Sequence, residues 1–91
     1  MLHSERFQTT VFNFQDKSFK MEYDLRITPE GSDVGFGNIY IKGDDEEPSE
    51  FTFFTINGRI AGYTPINGTK EYIGAIVETV TGKKLPVDNM L

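Results

Sequence analysis

Few residues in this 91-residue chain are equipped for covalent chemistry. There is no cysteine, so a thiol nucleophile is ruled out, and the one histidine, His3, stands in a polar N-terminal stretch. A Ser-His nucleophilic pair would have to rest on this one terminal residue, and a His-rich metal site has only one histidine to draw on, which counts against both. No glycine-rich phosphate loop ending in Lys-Ser or Lys-Thr occurs. We expect no catalytic residue, no metal, no cofactor and no enzyme. The strongest chemical signal is a run of charge: Asp44, Asp45, Glu46 and Glu47, with Glu50 just beyond Pro48. The run lacks the alternating Asp/Asn spacing and the glycine of a calcium loop. Its acidity suits contact with a basic protein surface, which long-range attraction would steer towards it. A solvated hairpin tip that discourages edge aggregation is the structural alternative.

The second signal is aromatic. Gly35-Phe36-Gly37-Asn38-Ile39-Tyr40-Ile41, followed by Phe51-Thr52-Phe53-Phe54, resembles the paired nucleic-acid-binding strands of cold-shock and related single-strand-binding domains. That resemblance implies a five-stranded barrel stacking bases on Phe36, Tyr40, Phe51 and Phe53. The chain departs from the pattern where Val34 replaces a basic residue and Asn38 replaces the second stacking aromatic.

Composition weighs between these readings. Fourteen acidic residues against nine basic ones leave a net charge of −5. Acid excess repels phosphate backbones and counts against nucleic-acid binding. The absence of disulfides favours a reducing, cytoplasmic setting. The polar start carries no signal-peptide pattern, and no apolar run is long enough to cross a membrane. Small accessory proteins of phages and mobile elements have a similar profile.

The elements that must position these residues can be read from periodicity. In residues 18–28, Phe19, Met21, Tyr23, Leu25 and Ile27 alternate without a break with polar residues, the signature of a half-buried strand. Residues 7–14 pair with it through Gln15-Asp16-Lys17. Pro29-Glu30-Gly31 turns the chain into a third strand over residues 34–42, where Gly35 and Gly37 suggest a bulge or a close backbone approach. Residues 51–56 and 59–64 flank Asn57-Gly58, a strong hairpin signal. Thr69 or Asn67 caps a helix whose apolar stripe is Tyr72, Ile73, Ile76, Val77 and Val80, and Gly82 ends it.

The expected fold is α+β: one domain over residues 1–91, with residues 1–5 and 87–91 as flexible ends. A five-stranded antiparallel β meander, as a curled sheet or small barrel, carries one C-terminal α-helix. Phe7 and Val11 oppose Phe12 and Phe14, and Phe51 and Phe53 oppose Phe54 and Ile56. One helix cannot cover both faces, so either the sheet closes into a barrel or a homodimer buries the second face. The function expected is a small acidic protein-binding module, an inhibitor or adaptor for a partner with a basic surface. A single-strand nucleic-acid binder is the alternative.

Overall fold

Local turn chemistry sets the order of the strands. The computed structural model describes residues 7–40, 48–64 and 69–87. Within them, β1 (Gln8–Phe14), β2 (Lys17–Ile27), β3 (Asp33–Tyr40), β4 (Ser49–Ile56) and β5 (Arg59–Thr64) precede one helix, α1 (Lys70–Thr81). Gln15 and Asp16 both take positive φ (53° and 64°), as do Asn57 and Gly58 (52° and 76°). These are mirror-image two-residue turns, whose twist matches that of the strands they join. Between β2 and β3, Gly31 N–H donates to the Thr28 carbonyl at 2.9 Å, closing a turn with Pro29 at its second position.

The strands pair antiparallel in the order β1-β2-β3-β4-β5, an open meander. The barrel alternative is thereby set aside: β1 and β5 are the two edges and do not meet. Register then sorts the side chains. Phe12 pairs with Phe19, Met21 with Ile39, Gly37 with Phe51 and Gly35 with Phe53, and these residues share one face. We call it the inner face. Residues of opposite parity, including Val11, Glu22, Phe36, Tyr40, Glu50 and Phe54, form the outer face.

The helix covers the inner face only. Ile73, Ile76, Val77 and Val80 are buried against Phe12, Met21, Ile39, Phe51, Phe53 and Ile60. Tyr72 is half-buried and packs edge-on to Phe12 and Phe14, at ring separations of 5.8 and 5.3 Å. Burial raises the Tyr72 phenol pKa above its ordinary value. Thr69 is the N-cap, its hydroxyl accepting from Tyr72 N–H at 3.1 Å, and Gly82 ends the helix at φ 79°.

Two devices lock helix to sheet. Lys83 Nζ reaches the buried Asp33 carboxylate at 3.2 Å, and Asp33 N–H donates to Thr55 Oγ1 at 2.9 Å. Beyond the helix the chain returns to β5: Ile60 N–H donates to the Pro86 carbonyl at 2.9 Å, and Ile60 bridges Val87 in parallel. Val87, expected to be loose, is held. Residues 1–6 and 88–91 lie outside the described residues.

The two glycines of β3 are explained by the core. A Cβ on Gly35 would come within 2.5 Å of the Phe53 ring. One on Gly37 would collide with the Glu22 carbonyl and lie 2.7 Å from Tyr23 Cα. The close approach expected from sequence is therefore present, while the β2–β3 register runs without a bulge. The bulge sits elsewhere. Phe54 pairs with Gly62 and Thr55 with Ile60, so Ala61 is the extra residue of β5.

Candidate protein-binding surface

Among the described residues the outer face has no helix on it. Phe54 is 41% exposed, Ile56 49% and Val11 59%. Among them stand side chains held in fixed geometry. Glu22 Oε2 accepts from Tyr40 OH at 2.7 Å and from Asn38 Nδ2 at 3.1 Å. The hydrogen bond to Glu22, then desolvation, then the negative charge of Glu22 raise the Tyr40 phenol pKa above its ordinary value. Lys20 Nζ lies over the Tyr40 ring, 5.2 Å from its centroid. Asp24 is buried on this same face and accepts from Arg26 Nε at 3.2 Å. Alternation alone puts Asp24 on a wet face; in the fold it is buried, with its partner Arg26 two residues along the same strand.

Cross-strand register brings Glu50 and Phe36 to one place. Asn38 pairs with Glu50 and Phe36 with Thr52. Phe7, just ahead of β1, meets Phe36 edge-on at 5.7 Å. Phe7, Phe36, Asn38, Glu50 and Thr52 line a pocket of about 230 Å³, open to solvent. Drug-sized ligands need pockets upward of about 300 Å³, so this one suits a single side chain. One wall is aromatic and one is an exposed carboxylate, the chemistry that receives a lysine or arginine. A larger groove of about 570 Å³, almost wholly apolar, runs along β1 and β2 beside Val11, Lys20 and Tyr40.

The residues singled out in the sequence divide as follows. Asp44, Asp45, Glu46 and Glu47 lie outside the described residues, while Glu50 is exposed on β4. Phe51 and Phe53 are 2% and 1% exposed, stacked on each other beneath the helix at 6.4 Å. They cannot share a stacking platform with Phe36 and Tyr40, which belong to the opposite face. Strict alternation along β4 is the physical reason. The Gly-Phe-Gly signal thus has a packing origin: its glycines make room for Phe53 and for the β2 backbone.

Sequence reasoning missed Phe7 as a wall of the pocket and Glu22 as the hub of the polar cluster. Their pairing follows from register, which a single strand's pattern does not contain. Among the described residues no three His, Asp or Glu side chains converge as metal ligands, and no helix is long and apolar enough to cross a membrane. Comparison with protein-family models, curated proteins and solved structures finds no match.

Proposed function

We propose that this chain is a small, acidic, non-enzymatic protein-binding module, of the inhibitor or adaptor kind, that contacts a basic surface of its partner through the uncovered sheet face. The observation that supports this most is the Phe7–Phe36–Glu50 pocket. A partner's arginine or lysine would stack on the aromatic wall and pair with the Glu50 carboxylate. Asp44, Asp45, Glu46 and Glu47 precede this strand in the chain and would add long-range attraction to the same partner. A cytoplasmic setting goes with this reading, since the chain carries no disulfide. The nucleic-acid alternative has less to stand on. Two of its four stacking residues are in the core, and the Tyr40 ring is already engaged by Lys20.

The test is an NMR titration of the full chain with a short arginine peptide and with its citrulline counterpart, which keeps the shape and loses the charge. Shifts should concentrate on Phe7, Phe36, Asn38, Glu50 and Thr52, and only with arginine. An exposed ion pair contributes about 0.2–1 kcal/mol and an exposed cation–π contact about 0.5–1 kcal/mol. Phe36→Ala should therefore weaken binding by about two- to fivefold, and Glu50→Gln by up to about fivefold. Equal shifts with citrulline, or shifts scattered over the surface, would overturn the reading.

A further inference from the structure

The two edges of the sheet are treated differently. The β5 edge is blunted three ways: Arg59 puts a charge on it, Ala61 bulges it, and the segment at Pro86 and Val87 returns to pair with Ile60. These are the devices by which proteins prevent a sheet edge from recruiting another strand. The β1 edge has none of them. Its sequence, Gln8-Thr9-Thr10-Val11-Phe12-Asn13-Phe14, contains no charge, no proline and no glycine, and its pairing with β2 runs without a register shift. Among the described residues nothing pairs with its outer side.

We propose that β1 pairs antiparallel with β1 of a second copy, joining the two sheets into one of ten strands across a two-fold axis. This rests on the sheet edge and is independent of the pocket on its outer face. A two-fold axis perpendicular to the sheet keeps outer face with outer face and inner with inner. Val11 is the middle residue of β1, so full overlap sets Val11 against Val11 of the second copy. Thr9 then faces Asn13, Thr10 faces Phe12 and Gln8 faces Phe14.

Charge selects this occupant. Each copy carries −5, so two copies associate only along a seam where their carboxylates do not face each other. β1 is the strand with no charged residue; β2, β3, β4 and β5 each carry at least one. The pairing also covers Val11, which is 59% exposed in the single chain, and narrows the apolar groove beside it.

Sedimentation equilibrium of the full chain at micromolar concentration tests the proposal. The expected mass is twice 10.3 kDa. Val11→Asp sets two carboxylates face to face at the axis. It should raise the dimer dissociation constant at least about tenfold and leave the unfolding midpoint nearly unchanged when both chains are compared at a concentration too low for the parent to dimerise, where mass action adds nothing. In a chain without cysteine, Val11→Cys should form a disulfide-linked dimer under mild oxidation, whereas Phe54→Cys should not. The Val11→Cys result decides the matter should Val11→Asp fail to fold. A 10.3 kDa species at every concentration would overturn the proposal. So would a dimer that survives Val11→Asp, or one cross-linked by Phe54→Cys alone, which would mark a face-to-face contact.

Discussion

Glycine-to-alanine exchange at positions 37 and 74 adds the same methyl group and should change stability in opposite directions. At Gly37 the new Cβ would overlap the Glu22 carbonyl and stand 2.7 Å from Tyr23 Cα. Non-bonded carbon atoms rest at about 3.5–4.0 Å, so β2 and β3 must separate by about 1 Å or more at their centre. Both obstructing groups are backbone and cannot rotate away. Overpacking of this kind costs about 1–3 kcal/mol. Weakening the adjoining ladder hydrogen bonds, each worth about 1 kcal/mol net, puts Gly37→Ala near 3 kcal/mol. At Gly74, on the helix, an added Cβ meets nothing within 4 Å. Only backbone propensity changes there, and alanine is better than glycine by about 0.8–1 kcal/mol. Urea unfolding followed by far-UV circular dichroism reads both, because a domain of this size is expected to unfold in one step. The midpoints should move to either side of the parent's. A Gly37→Ala chain as stable as the parent would refute the close approach of β2 and β3, and with it the packing origin of the Gly-Phe-Gly stretch.

The remaining predictions concern the core and one titration. Met21→Ala, at a fully buried position, should cost about 2–5 kcal/mol, and Tyr23→Ala clearly less, because Tyr23 is half-buried with its hydroxyl on Gln8; equal midpoints in urea would contradict the burial gradient along β2. Tyr40 has a folded pKa above its unfolded one, so its contribution to stability is full below the unfolded phenol pKa and is lost as pH rises through the folded value. Glu22→Gln should move one tyrosine transition in the ultraviolet titration to lower pH, and an unchanged curve would show that Glu22 does not hold that proton.

Much of the architecture is legible in the sequence because it is local. The alternation through Phe19 to Ile27, the Asn57-Gly58 turn, Thr69 as cap and Gly82 as terminator each depend on neighbours a few residues away. The described strand ends move by one or two residues: β1 starts at Gln8, β2 runs Lys17–Ile27, β3 starts at Asp33 and β4 at Ser49. What the pattern does not contain is which of two apolar faces the helix chooses. Phe51 and Phe53 are no more hydrophobic than Phe54, yet the helix buries the first pair and leaves the last exposed. Nor does it show that Asp24 and Asp33 are buried, since charge predicts exposure; Asp24 is paired with Arg26 on its own strand, but the partner of Asp33, Lys83, comes from fifty residues away. The pocket is the least legible part. It needs Phe7, Phe36 and Glu50, which lie on separate strands or beside them and meet only once register is set.

That the inner face is covered by α1, which follows the whole sheet in the chain, has a consequence in time. A ribosome delivers β1 through β5 before α1, at about 5–20 residues per second. From Thr64 to Thr81 the chain grows by 17 residues, about one to three seconds of synthesis, with the sheet complete and its lid unmade. Through that interval Phe12, Met21, Phe51 and Phe53 face water on a surface with no partner. A five-stranded sheet with a bare aromatic face is an adhesive intermediate, and a neighbouring nascent chain on the same messenger presents the identical one. Clustered synthesis should therefore be the most hazardous moment in this protein's life. Slowing elongation just after β5 should lower its soluble yield, and fusing a fast-folding partner upstream should not restore it.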